Sequence, residues 1–260
     1  MDEALAAPSG GGRARPVPSR RRGASVLGVI GELLITAGVI VLLYVVWQLW
    51  VGPTIYGVEA NTEGDRLSQE WAEAYGGTNE PEPAPDAEPA TADPIILPEP
   101  ADGEKFGVMH IPRFGADYAV PMAGGVSRER TLNPIGIGHY MGTSMPGEAG
   151  NFAVAAHRTS WAEPFRRIAE LRLNDAIVVE TKDGWFTYRF RTLEYVKPSQ
   201  TDVLLPVPQA PEVPAGTRYI TMTSCSPIHW MWERIIAYGV FESFTPRSEG
   251  PPASLTEGVA

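Results

Sequence analysis

The stretch Tyr219 to Tyr238, YITMTSCSPIHWMWERIIAY, holds two strand-like runs separated by a short aromatic loop. Tyr219 to Thr223 is rich in β-branched and aromatic residues, which pack well on a pleated surface, and so reads as a strand. It ends at Ser224-Cys225-Ser226-Pro227, because Pro227 has no N–H to give a central ladder. Arg234 to Val240 is the second strand candidate. Laid side by side, the two runs bring Cys225, the only cysteine in the chain, and Arg234 to the same end.

The residues upstream repeat the same grammar. Phe106 to Ile111 and Asp117 to Met122 read as short strands, followed by a turn at Gly124-Gly125. Ser127 to Leu132 reads as a short helix with Ser127 as its N-cap. The Gly- and Pro-rich stretch from Asn133 to Gly150 reads as loop, and Asn151 to Ala156 as a buried strand that delivers His157. Pro164 to Leu171 reads as a helical turn or two. Ala176 to Thr181 and Trp185 to Val196 flank the hairpin turn Lys182-Asp183-Gly184. Many short strands with little helix predict an all-β barrel or sandwich over residues 105–245.

Of the 260 residues, the rest form appendages. Residues 1–25 are a basic tail carrying Arg13, Arg15 and Arg20 to Arg22. Residues 26–50 are apolar apart from Glu32, Thr36 and Gln48; at about 1.5 Å per residue they exceed the ~30 Å of a bilayer core. This predicts a single membrane-spanning helix at the cell membrane. The run is longer than the apolar part of a cleaved leader. Arginines before the span and none just after it place the N-terminus in the cytoplasm and the rest outside. Residues 51–104, centred on EPEPAPDAEPA, hold too little apolar surface to offset chain ordering and read as a disordered, semi-stiff linker. In that linker Asp93 to Leu97 is an apolar patch that is either a solvated bump or a segment folded over the cleft. Residues 246–260 read as a flexible tail. The net charge of −10 comes mostly from the linker, so the domain is nearly balanced and nothing points to nucleic acid.

Three residues carry a chemical case: His157, Cys225 and Arg234. The thiolate is the nucleophilic form of cysteine, and a neighbouring imidazole or cation favours it. A guanidinium, always charged, stabilises the oxyanion of a tetrahedral intermediate. Together they describe acyl transfer through a thioester. The same residues admit a structural role, since a free cysteine is often a small buried hydrophobe and a histidine a core hydrogen-bonder. A metal site built on Cys225 and His229 lacks the further ligands that zinc needs.

These residues resemble the sortase family. Thr221-Met222-Thr223-Ser224-Cys225 is similar to the sortase signature Thr-Leu-x-Thr-Cys, with Arg234 standing nine residues on. Gly150 to His157 is similar to the strand that ends in the sortase histidine, and Ile111-Pro112 with Gly124-Gly125 matches the family's opening. Gly138-His139-Tyr140, Gly142-Thr143 and Pro146-Gly147 resemble the class E housekeeping sortases of high-GC Gram-positive bacteria. The resemblance runs essentially from Phe106 to Phe241.

The resemblance implies an eight-stranded sortase-type β-barrel and a cysteine transpeptidase that works without cofactor or metal. Such an enzyme cleaves a C-terminal Leu-Ala-x-Thr-Gly or Leu-Pro-x-Thr-Gly-like signal of a surface protein after its Thr. It holds the protein as a thioester on Cys225 and passes it to a peptidoglycan precursor amine, with His157 as acid and base and Arg234 on the substrate or oxyanion. Tyr140, Thr223 and Ser224 are the implied substrate-binding residues. Met222 for Leu conserves volume; Ser224 for Thr loses a methyl beside the nucleophile. Trp230 and Trp232 either line the groove or cover the edge of the core, the second being the preferred reading. An extracytoplasmic cysteine hydrolase of cell-wall peptides and a non-catalytic tethered binding domain are the alternatives.

Overall fold

A computed structural model describes residues 25–76, 93–228 and 230–258. The chain divides into two compact units after Val45. The first contributes helix α1 (Val26–Val46), apolar apart from Glu32 and Thr36 and without a buried side chain. It begins the one helix among the described residues that is long and apolar enough to cross a membrane.

The second unit is a closed barrel of eight strands: β1 (Lys105–His110), β2 (Ala119–Gly124), β3 (Ile137–His139), β4 (Gly150–Ala156), β5 (Ala176–Thr181), β6 (Gly184–Val196), β7 (Arg218–Ser226) and β8 (Glu233–Pro246). Around the barrel they run β1-β2-β3-β4-β7-β8-β6-β5, closing on β1. The pairs β2/β3 and β4/β7 are parallel and the others antiparallel. Side chains alternate across each strand. Phe152, Val154, Ile220, Met222, Ile235 and Ala237 therefore point into a core filled by Tyr188, Phe186 and Phe244. The intervening residues of β4, β7 and β8 share the outer face, and that face becomes the site.

The short helical turn at Arg128–Leu132 forms as predicted, with the Ser127 hydroxyl accepting from the Arg130 N–H. Strand β3 lies inside the stretch read as loop. It is only three residues long, with Gly138 at its centre, and carries too little pattern to be seen.

Two appendages differ from expectation. The linker region opens with helix α2 (Gly52–Tyr75), which lies on the barrel. Leu67 packs with Val108 and Ala119, and Trp71 joins them from one turn on. A Cβ added at Gly64 would stand 1.9 Å from the Ala119 carbonyl oxygen, so only glycine permits this approach. The many acids of α2 sit on its other faces, and composition hid a narrow packing stripe. The linker's centre falls in residues 77–92, outside those described. Beyond it the patch at Asp93 to Leu97 straps the β3–β4 loop: Leu97 packs on the core, and Glu99 accepts from the Gly142 N–H.

Residues 247–258, read as part of a flexible tail, likewise pack on the barrel. Leu255 packs on Ala176, Val178 and Trp185, and the Ser254 hydroxyl bonds that of Thr187 at 3.0 Å. Arg247 lies against the Trp185 ring, 4.5 Å from its centroid, and donates to the buried Glu180 carboxylate at 2.8 Å. Ser68 of α2 and His110 of β1 reach the other Glu180 oxygen at 2.7 and 2.9 Å. Burial pushes this carboxyl up, but its bonds to His110, Arg247 and Ser68 outweigh that and hold it below its usual value.

Candidate active site

Strand register assembles the site. In the β4/β7 ladder Ala155 stands level with Thr223, and continuing that pairing by two residues sets His157 level with Cys225. In the β7/β8 ladder Cys225 is the direct partner of Arg234. Residues 157, 225 and 234 thus occupy one row across three adjacent strands. By alternation all three stand on the outer face, beyond the buried pair Asn151 and Thr221, whose side chains bond each other at 2.7 Å. Asn151 also donates to the carbonyls of Val203 and Leu205, tying the β6–β7 loop to β4.

Cys225 and His157 open into one cavity of about 340 Å³, with Arg128, Asn133, Arg158 and Trp230 among its walls. The His157 Nε2 bonds Asn133 Oδ1 at 2.8 Å. An amide oxygen can only accept, so Nε2 carries the hydrogen, and Nδ1 of the neutral ring is left as the base. Burial lowers the pKa of His157, and the positive charge of Arg128 lowers it further, so the ring is neutral at pH 7. Arg158 is buried, donates to the Cys225 carbonyl at 3.3 Å, and has an Nε without a partner. Among the described residues neither Arg128 nor Arg158 meets a carboxylate. The cavity is therefore a positive, partly unsatisfied pocket around a thiol and a neutral imidazole.

Other expected residues are distributed differently. The Arg234 guanidinium folds back onto the carbonyls of Met231 and Glu233, at 3.0 and 2.9 Å, and is not among the residues lining the cavity. Tyr140 bonds its hydroxyl to that of Thr223 at 2.9 Å, tying the β3–β4 loop to the outer face two residues before the cysteine. Ser224 does not match the substrate-contact reading. Strand alternation turns it inward, where it is buried and donates to the Ala156 carbonyl at 2.8 Å. The preferred edge-of-core reading of Trp230 and Trp232 also fails: their rings stack 4.9 Å apart, 58% and 60% exposed, and Trp230 lines the cavity. His229 lies outside the described residues. The strap at Asp93 to Leu97 is not part of the cavity wall.

Sequence reasoning missed Asn133, Arg128, Arg158 and Trp161. Only Arg158 had a signal, standing beside His157. Ser160, Trp161 and Glu163 all adopt positive φ, at 84°, 56° and 48°. Side chains rarely accept this conformation, and such strain gathers at functional sites.

A sortase-domain family model matches residues 109–242. Sortase SrtE1 of Streptomyces coelicolor is 36% identical over 93% of this chain, which spans 65% of that relative's length. The structure of SrtA sortase from Actinomyces oris superposes with a TM-score of 0.61 at 33% identity, covering 64% of this chain and 96% of the other. Sortase E1 from Streptomyces coelicolor, solved with a tripeptide in the active site, gives 0.55 at 40% identity, covering 60% and 99%. The eight-stranded barrel thus has counterparts among solved sortases, and the chain belongs to the sortase family.

Proposed function

We propose that this chain is a membrane-anchored cysteine transpeptidase of the class E type. In this reading Cys225 Sγ attacks the carbonyl carbon of the threonine in a Leu-Ala-x-Thr-Gly-like signal near the C-terminus of a surface protein. As the C–S bond forms, the thiol proton passes to His157 Nδ1. The scissile C–N bond then breaks, and His157 returns the proton to the leaving amine. A primary amine of a peptidoglycan precursor takes the acyl group from sulfur in the second half.

The observation that carries this reading is the single cavity holding an accessible thiol and a neutral imidazole, pre-oriented by Asn133. Arg158 and Arg128 supply the positive field in which an oxyanion develops. In this reading Arg234, the partner of Cys225 in register, swings from the loop carbonyls onto substrate. Helix α1 is the anchor. The arginines before it favour a cytoplasmic N-terminus and an extracytoplasmic barrel.

The test is product analysis with the full-length chain in detergent, a Leu-Ala-Glu-Thr-Gly peptide and triglycine. A ligated product that requires Cys225 supports transpeptidation. Release of free acid alone supports a hydrolase, and intact peptide overturns the sorting signal.

A further inference from the structure

A second cleft shares two walls with the Cys225 cavity. It measures about 600 Å³ and lies between α2 and the barrel, lined by Tyr56, Glu59 and Glu63 of α2 with Lys105, Asn133 and Trp161 opposite. Asn133 and Trp161 also line the cavity that holds Cys225 and His157. We infer that this cleft is the acceptor subsite: it takes a peptide bearing a primary amine and delivers the nitrogen to the thioester past Asn133. The inference rests on the transpeptidase reading and says where its second substrate binds.

Charge sorts the two sites. The Cys225 cavity is lined by Arg128 and Arg158 with no carboxylate, which repels an ammonium group. In the cleft, Glu63 is committed to Arg66 and Lys105, with Arg66 first in holding its carboxyl down to about 2. Glu59, one turn earlier on the same helix, is exposed and makes no ion pair or hydrogen bond among the described residues. The rings of Tyr56 and Trp161 meet in the same cleft with centroids 5.5 Å apart. A free carboxylate with aromatic faces is a recognition surface for an alkylammonium ion. The volume suits the end of a short peptide.

Geometry supplies the path. Asn133 Oδ1 holds the Nε2–H of His157, so the inner end of the cleft is one hydrogen bond from the imidazole. The positive-φ run Ser160, Trp161, Glu163 holds Trp161 at the junction of the two spaces. Glu59 concentrates the amine as ammonium, and its neutral fraction reacts. The nitrogen lone pair forms the new C–N bond as the C–S bond breaks toward sulfur. The proton lost by nitrogen passes through His157 to Cys225 Sγ. Thioester and amine become amide and thiol, with nothing left over.

The experiment uses the full-length chain in detergent acylated with the Leu-Ala-Glu-Thr-Gly peptide, then offered triglycine or hydroxylamine. Hydroxylamine is small and uncharged at pH 7, so it needs no ammonium site. The readout is the ratio of the two second-order rates. Glu59→Lys is expected to lower that ratio about fivefold, the scale of one exposed ion pair. Glu73→Lys, the same charge change on α2 outside the cleft, is expected to leave it unaltered. Equal ratios for the two variants, or a wild type that uses hydroxylamine but not triglycine, overturn the subsite while leaving the thioester chemistry standing. Failure of the wild type to form any Cys225 thioester overturns the transpeptidase reading itself, and the subsite with it.

Discussion

Two regions of the barrel treat buried charge in opposite ways. At Glu180 each formal charge has a partner: Arg247, Ser68 and His110 saturate the carboxylate, and Trp185 covers the guanidinium. Around Cys225 the charges are left over. Arg158 has a buried Nε with no partner, and His157 is pushed toward its neutral form by burial and by Arg128. The first arrangement fastens α2 and the C-terminal residues to the sheet. The second keeps polar capacity open for a ligand, as expected where binding and catalysis are traded against stability.

The contrast can be broken most sharply at the reacting atoms. Cys225→Ala should abolish peptide cleavage within detection while leaving the thermal midpoint nearly unchanged, because the thiol supports no packing that alanine loses. A variant that still cleaves would remove the nucleophile from the account. At the other region Glu180→Ala should cost roughly 3–5 kcal/mol by chemical denaturation, the usual consequence of stranding a buried cation. It should leave the remaining folded protein active. A loss below about 1 kcal/mol would mean that the Glu180 cluster is not a fastener.

Arg158→Met sharpens the distinction. It should change stability by less than about 1.5 kcal/mol, since it removes a partly unsatisfied buried cation along with one bond to the Cys225 carbonyl. Acylation should nevertheless slow by about tenfold or more. The reverse pattern, a large stability loss with normal acylation, would make Arg158 another Glu180-type fastener.

Protonation gives a gentler probe. His139 is fully buried, stacked on Phe152 at 5.3 Å, and burial lowers its pKa. The unfolded chain therefore binds a proton that the fold resists. Stability should fall as pH drops below the ordinary histidine value near 6.5, by at most about 1.4 kcal/mol per pH unit from this ring. His139→Gln should flatten that slope in urea titrations. In the same window the acid limb of acylation should lie below 6.5, and Arg128→Gln should move it upward by removing the charge that disfavours the imidazolium.

Smallest is Ser224→Ala, expected to cost about 1 kcal/mol for the lost bond to Ala156, with no change in peptide affinity. A changed Michaelis constant would return Ser224 to the substrate-contact role that its inward orientation argues against.

The barrel was legible wherever strands carried period-two patterning, and so was the meeting of Cys225 and Arg234 at one end of two neighbouring strands; the alignment of His157 with them needed the parallel β4/β7 ladder. What stayed hidden was long-range and sparse. Helix α2 shows one narrow stripe, Leu67 and Trp71, in an acid-rich background, and its docking depends on the absence of a side chain at Gly64. The C-terminal residues 247–255 look polar and loop-like, yet Arg247 and Ser254 find buried partners 67 residues away. Asn133 and Arg128 reach the site only because the barrel closes, so no local spacing announces them. Ser224 shows the converse: a position beside the nucleophile in sequence faces the opposite side of the strand.

The most direct measurement is intact-protein mass spectrometry of the full-length chain, quenched in acid within the first turnover on the Leu-Ala-Glu-Thr-Gly peptide, with the adduct mapped by digestion. The account predicts a mass increase equal to the peptide's N-terminal fragment through threonine, carried by Cys225 and discharged by triglycine. Cleaved peptide with no adduct on Cys225 at any quench time would contradict it, because the register that joins Cys225 to His157 would then serve some other chemistry.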